Sequence, residues 1–245
     1  MKPLPRSFAY QPIADIQSGC VFAYEALVRG PNGEGAGTIL GRIEPGQLHS
    51  FDHYARLEAL ALASRLGLRS KISLNLLPGT VDDIPTTLDE LIDAASSLGI
   101  AHSALLVEIT ESEAINQPKA FDHFLSNYRS RGVQFAIDDF GAGYSGLNVL
   151  ADFQPDLIKL DMHLVRNIDR AGPRRAIARA VLQVCDDLGI EVIAEGVETL
   201  GEYHWLRRVG VRLFQGYLLG RPAFKALRDP IFPGAVGIGS AAAAG

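Results

Sequence analysis

Five times along this chain a glycine sits between two larger side chains, the second always apolar, and an apolar run follows within a few residues. The sites are Leu66-Gly67-Leu68, Leu98-Gly99-Ile100, Arg131-Gly132-Val133, Leu188-Gly189-Ile190 and Val209-Gly210-Val211. Glycine adopts the left-handed conformation that closes a helix without a Cβ clash. Each site therefore predicts a helix end with a strand soon after. The predicted strands are Ile72–Leu77, Leu105–Thr110, Phe135–Asp138, Glu191–Val197 and Leu213–Leu219, with Leu157–Asp161 as one more. Alternating helices and strands imply a parallel sheet.

The start of the chain differs. Phe8–Ile16 and Val21–Arg29 are apolar-rich runs separated by Gln17–Cys20, with Ser18-Gly19 as the turn signal. That gap is too short for a crossover helix, so the two strands should pair antiparallel. Counting this hairpin gives about eight strands, the number that closes a barrel of about 250 residues. The chain has 245 residues. The expected fold is α/β, a TIM-like (β/α)8 barrel with an antiparallel first strand; an open doubly wound sheet is the alternative. Pro31–Gly46 reads as loop. Ser50 is expected to cap a helix running to about Leu66. Thr87 with Glu90 should form a capping box, and Pro118 suits a first helical turn. One domain is expected over residues 1–233, with a disordered Gly/Ala-rich tail over 234–245.

Composition narrows the function. A net charge of −5 and scattered Lys and Arg argue against a nucleic-acid binder. Cys20 and Cys185 are too few for a disulfide framework or a thiolate metal site. No apolar run reaches membrane-spanning length, and Met1–Phe8 lacks a signal-peptide core. A cytoplasmic protein without membrane insertion is expected, either standing alone or forming a piece of a longer chain.

The chemistry centres on Gln134–Leu150, where the apolar run Phe135–Ile137 ends in adjacent carboxylates, Asp138 and Asp139. Like charges at the end of a buried strand repel each other and resist desolvation, so a cation is the natural offset. Strand side chains alternate faces. Ser73 and Asn75 lie opposite Ile72, Leu74 and Leu76. Glu108 and Thr110 lie opposite Leu105, Val107 and Ile109. Asp138 shares a face with Ala136, Lys159 with Asp161, Glu25 with Ala23, and Glu195 with Ile193. Barrel helices cover the apolar outer faces, so Glu25, Asn75, Glu108, Asp138, Asp139, Lys159 and Glu195 should converge at the C-terminal mouth. A single buried acid is most often a satisfied structural group. Five carboxylates and an amide at one address are different, because they cannot neutralise one another. Oxygen-only donors suit Mg²⁺, Mn²⁺ or Ca²⁺, and adjacent aspartates allow two cations to share a carboxylate, as in phosphoryl displacement.

Other motifs carry less. Asp139-Phe140-Gly141 matches a kinase metal motif without the His-Arg-Asp loop. Gly141–Gly146 has dinucleotide-loop spacing, but Asp138 and Asp139 would repel a pyrophosphate there. His49 and His53 stand at i and i+4 without the glutamate of a zinc-protease helix.

Taken together, Glu25-Ala26-Leu27 with Arg29, Leu74-Asn75-Leu76, Val107–Ser112, Asp138–Gly141, Ile158–Asp161, Ala194–Glu198 and Gln215-Gly216-Tyr217 resemble the EAL family of cyclic di-GMP phosphodiesterases. The resemblance spans about Phe8 to Pro222. It implies hydrolysis of cyclic di-GMP to linear pGpG with two Mg²⁺ or Mn²⁺ ions per site, and inhibition by Ca²⁺. It places Glu25, Asn75, Glu108 and Asp138 around one metal, and Asp138, Asp139 and Glu195 around the second. Lys159 would orient the attacking water, which Glu195 would help deprotonate. Arg29, Gln11 and Gln215 would meet substrate, and Glu111 would anchor the loop after Asp139. Asp161 and Glu198 belong to the same motifs. A homodimer through helices beside the metal-bearing loop is the family's habit. The chain departs from the pattern at Ala142 and Gly146, where hydroxyl residues are common, and over Pro31–His49. A catalytically silent module that binds cyclic di-GMP or a protein partner is the alternative function.

Overall fold

The computed structural model describes residues 5–77, 84–110, 125–142 and 147–234. Its strands are β1 (Ser7–Asp15), β2 (Cys20–Arg29), β3 (Lys71–Asn75), β4 (Leu105–Thr110) and β5 (Gln134–Phe140). They continue with β6 (Leu157–Leu160), β7 (Glu191–Ala194), β8 (Leu213–Phe214) and β9 (Ala223–Phe224). Strands β2 to β8 pair in chain order, each parallel to the next. Strand β1 closes the ring, antiparallel to both β2 and β8. The short β9 adds to β1 at Ala9 and Tyr10, beyond the point where β8 stops. The result is the expected closed barrel with its antiparallel first strand, and the open sheet is ruled out.

The glycine rhythm has one cause. Gly67, Gly99, Gly132, Gly189 and Gly210 all take positive φ, from 70° to 100°. The apolar residue after each donates its N–H five residues back, as Ile190 does to the Cys185 carbonyl at 2.8 Å. Leu68, Ile100, Val133 and Val211 repeat that bond to Ala63, Ala95, Tyr128 and Leu206. This closing bond satisfies a helix-end carbonyl and turns the chain into the next strand.

Several predicted boundaries move. Ser50 lies inside the helix Leu48–Arg65, which has Gln47 at its N-cap and no side-chain cap bond. The helix is entered from a 3-10 turn, Pro45–Gln47, so the helical path begins before Ser50. Thr87 and Glu90 likewise lie within the helix Ile84–Ser97, with Pro85, which has no N–H to leave unpaired, at its second position. A true capping box opens the helix Leu200–Arg208, between Thr199 and Glu202. Strands β7 and β8 stop short of the predicted Val197 and Leu219. At Gly216 the chain crosses Val197 so closely that a Cβ would stand 2.1 Å from the Val197 carbonyl oxygen. Pro118 and residues 235–245, where a first helical turn and most of the tail were expected, lie outside the described residues.

Burial forms two layers. The larger packs outward faces such as Ile72, Leu74, Val107, Ile109, Phe135 and Ile158 against the helices. The smaller fills the barrel with Ile13, Ala23, Leu106, Ala136, Leu157, Ile193 and Leu213. Among the described residues no helix is long and apolar enough to cross a membrane.

Candidate active site

Each side chain of the inner layer has a polar counterpart two residues further toward the mouth. Ala23 leads to Glu25, Leu106 to Glu108, Ala136 to Asp138, Leu157 to Lys159, Ile193 to Glu195 and Leu213 to Gln215. On the reversed β1, Ile13 leads back to Gln11. Strand alternation guarantees that both members of each pair face the lumen. The barrel therefore has an apolar floor and a polar ceiling.

Lys159 organises the ceiling. Its side chain is 1% exposed, and Nζ lies 2.9 Å from Glu108 Oε2, 2.9 Å from Asp138 Oδ1, 2.8 Å from Glu195 Oε1 and 3.7 Å from Glu25 Oε1. Ser73 Oγ donates to the other Glu108 oxygen at 2.6 Å. Gln215 Nε2 donates to Glu25 Oε2 at 2.5 Å and to Gln11 Oε1 at 3.3 Å, while Gln11 Nε2 donates to the Gly220 carbonyl.

Asp139 breaks the alternation that would send it outward. Against β6, three steps along β5 from Ile137 to Phe140 face two from Ile158 to Leu160. The extra residue forms a bulge, and Asp139 takes φ 55° within it. A bulge re-aims a side chain at the expense of regular pairing. Here it returns Asp139 to the mouth, where ligand oxygens of Asp138, Asp139 and Glu195 lie within 4.8 Å of one another. Asp139 N–H also donates to Asp138 Oδ1 at 3.0 Å.

The electrostatics follow from burial. Desolvation pushes Glu108 well above the carboxylate range, and Glu25 and Asp138 add to this while Lys159 opposes it. Glu195 is pushed up to about 8, chiefly by burial, against the pull of Lys159. Asp139 is raised by burial and then by Asp138 and Asp161. Burial would lower Lys159, but Glu108, Glu195, Glu25 and Asp138 outweigh it and hold the ammonium well above its ordinary range.

A cleft of about 220 Å³ opens above these groups, walled by Gln11, Glu25, Asp139, Glu195 and Gln215. Exposed Met162, Glu198 and Tyr217 also line it, as does buried Asp161. Asp161 caps the helix Met162–Val165, accepting from His163 N–H at 2.8 Å. Glu198 pairs with Arg166, which donates two bonds to it and holds its carboxyl below the usual range. Asn75 ends β3 beside Glu108. Arg29 ends β2 and donates to the Val28 carbonyl rather than into the cleft. Glu111 lies outside the described residues. A larger groove of about 630 Å³ lies beside the helix Gly172–Leu188 and Val209–Leu213, at the floor end, and contains none of the ceiling residues.

Sequence reasoning missed several contributors. Ser73 was visible on the polar face of β3 but has no charge to flag it. Buried Glu202 accepts N–H bonds from Asn167, Glu198 and Thr199, tying the β6 and β7 loops together. Tyr217 lines the cleft with the Arg221 guanidinium 4.1 Å over its ring. For Glu202 the available signal was its spacing three residues after Thr199, and for Tyr217 its place in the Gln215-Gly216-Tyr217 motif.

The donor set fits a hard divalent cation. It is all oxygen and it is crowded, and one ammonium cannot neutralise all the carboxylates gathered around it. Asp138, Asp139 and Glu195 could hold such a cation together, with Glu25, Glu108 and Asn75 adjoining.

The fold and site define an α/β barrel with a carboxylate-rich mouth built around one lysine. The sequence pattern of the EAL domain family matches residues 6–222, and the chain belongs to that family. It is 34% identical to the blue light- and temperature-regulated antirepressor BluF of Escherichia coli K12, over 92% of this chain and 56% of BluF. It is 29% identical to the cyclic di-GMP phosphodiesterase PA2567 of Pseudomonas aeruginosa, over 87% of this chain and 38% of that protein. A stand-alone EAL protein of Vibrio cholerae O395 with bound c-di-GMP superposes with a TM-score of 0.86 at 38% identity, covering 94% of this chain and 98% of its own. The manganese and cyclic di-GMP complex of Klebsiella pneumoniae BlrP1 gives 0.85 at 42% identity, covering 92% and 58%. The chain thus spans little more than half of BluF and less than half of PA2567.

Proposed function

We propose that this protein hydrolyses cyclic di-GMP to linear pGpG with two Mg²⁺ or Mn²⁺ ions per site. The observation that carries this is the ceiling itself: four carboxylates, three within strands and Glu195 just past β7, around one buried lysine, with Asp139 bulged in beside them. The phosphodiesterase relative and the neighbours with bound c-di-GMP support the substrate class. Glu25, Asn75, Glu108 and Asp138 would hold one cation, and Asp138, Asp139 and Glu195 the second. When bound, the cations supply positive charge for the phosphate oxygens and a water of lowered pKa.

The remaining work falls to the chain. Lys159 Nζ orients the attacking water, and Glu195 Oε1, 2.8 Å from that ammonium, takes its proton. The new P–O bond forms as the bond to the ribose 3′ oxygen breaks; that oxygen takes up a proton from solvent and Glu195 gives its own back to solvent. Gln11 and Gln215 line the cleft and would meet substrate there. Arg29 would turn from the Val28 carbonyl to a substrate phosphate. Glu111 anchoring the loop after Asp139, inhibition by Ca²⁺, a homodimer and a cytoplasmic setting belong to this reading through the family resemblance.

The likeness to the antirepressor BluF favours a second reading, a module that binds cyclic di-GMP or a protein partner without turnover. Incubating purified protein with cyclic di-GMP and Mg²⁺ and resolving the products by chromatography separates the two. Hydrolysis predicts pGpG, abolished by chelator and reduced by Glu25→Ala by more than the roughly 100-fold that an outer-sphere change costs. Full activity in EDTA would sink the metal reading, and bound cyclic di-GMP without pGpG would favour the silent module.

A further inference from the structure

Strand β3 loses its neighbour before it reaches Asn75. The β2–β3 ladder ends at Glu25 opposite Ser73, whereas the β3–β4 ladder continues to Asn75 opposite Glu108, and Leu76 N–H still reaches the Glu108 carbonyl at 2.8 Å. Backbone groups of successive strand residues point to alternate edges. With Leu76 bonded toward β4, the Asn75 carbonyl and the Leu77 amide point toward the missing β2. Buried polar backbone groups need partners.

Two side chains of the helix Leu48–Arg65 supply them. Arg56, 4% exposed, donates through Nη1 to the Asn75 carbonyl at 2.7 Å and to Asp52 Oδ2 at 2.6 Å. The same Asp52 oxygen accepts the Leu77 N–H at 3.2 Å. The pair therefore holds both groups that β2 leaves unpaired. The Asn75 side chain has no hydrogen bond with a described residue, so its placement in the mouth is set through its backbone.

We propose that Asp52 and Arg56 are positioning residues for Asn75, replacing the strand that β3 lacks and fixing where the Asn75 amide stands among the mouth carboxylates. This rests on the metal-site reading above. A control pair exists at the other end of the barrel, where Asp156 accepts the Phe135 N–H at 2.8 Å and meets Arg129 at 3.4 Å, at the start of β5. It holds strand backbone in the same way, away from the mouth.

The test is calorimetric titration of metal-free protein with Mn²⁺ alone, on variants whose fold is checked by circular dichroism. Arg56→Met and Asp52→Asn should each weaken Mn²⁺ binding by about 10- to 100-fold, the range for groups that orient a ligand. Asn75→Ala should weaken it at least as much, and adding Arg56→Met to Asn75→Ala should change nothing further, because coupled groups are not additive. Arg129→Met should melt earlier yet bind Mn²⁺ like wild type. If Arg56→Met does not fold, the size-conserving Asp52→Asn carries the comparison. Wild-type affinity in the folded variants, a loss that persists in full on the Asn75→Ala background, or an equal loss in Arg129→Met would overturn the proposal. A wild-type protein that takes up no Mn²⁺ would instead overturn the metal reading itself, and this proposal with it.

Discussion

Floor and ceiling of the barrel lumen are made by the same strands, one pleat repeat apart, and they answer to opposite physics. Leu106, Leu157, Ile193 and Leu213 are at most 1% exposed and gain from every bit of surface they bury, at about 25 cal/mol per Å². Glu108 and Glu195 lose by burial, which is why both are driven above the carboxylate range. A β-strand can carry both because two residues further along its lumen face is another layer, nearer the loops and the open mouth. The ceiling is destabilising taken alone. It persists because Lys159 places an ammonium among four carboxylates, and because the floor and the outer layer hold the strands in place.

Replacing Lys159 tests that division most severely. In metal-free protein Lys159→Met should cost about 3–5 kcal/mol of stability, the penalty for leaving buried charges unpartnered, and pGpG formation should stop. Urea denaturation in EDTA measures the first and product chromatography the second. Two positions away, Leu157→Ala should cost about 2–5 kcal/mol through the cavity it leaves. Its turnover per folded molecule should stay within about tenfold of wild type, less than the loss expected from a group that acts in the transition state. If Leu157→Ala abolished turnover as Lys159→Met does, the two layers would not be separable. An undiminished stability in Lys159→Met would mean that its carboxylate partners are not charged together in the metal-free state.

How well each layer could be read from sequence follows from how local its cause is. The closing glycines were legible because a helix end is a matter of six consecutive residues. The ceiling was legible because strand parity is rigid: once Glu25, Glu108, Asp138, Lys159 and Glu195 were set on the polar faces, the barrel could place them only in the lumen. Asp139 could not be placed by parity, which sends it outward; its return depends on a bulge against β6 that no local pattern announces. Arg56 and Asp52 were hidden for a related reason. They read as an ordinary i, i+4 helix pair, and only the early end of the β2–β3 ladder reveals their target. Strands β7 and β8 looked longer than they are because apolar residues such as Val197 and Leu219 continue past the ladder, buried in the turns that carry Glu195 and Gln215.

A further expected effect concerns pH, and it belongs to the ceiling. A group whose pKa rises on folding contributes stability that is full below its unfolded pKa and is lost as pH climbs through its folded one. For Glu195 that window runs from 4.5 to about 8, and Glu108 and Asp139 shift in the same direction. Lys159, held well above its ordinary range, stays charged throughout the window and adds no slope. Metal-free protein should therefore melt at progressively lower temperature as pH is raised across that interval. Each kcal/mol lost lowers the midpoint by about 2–4 °C for a domain of this size. Glu195→Gln removes one titrating acid and should flatten the slope, while floor variants such as Leu157→Ala should shift the whole curve down without changing it. Saturating Mn²⁺ should cancel the slope in wild type, since bound cations favour the ionised acids. A melting curve that rises with pH in EDTA, or a slope untouched by Glu195→Gln, would mean that the mouth carboxylates are already compensated without metal, and the contrast between the layers would then rest on packing alone.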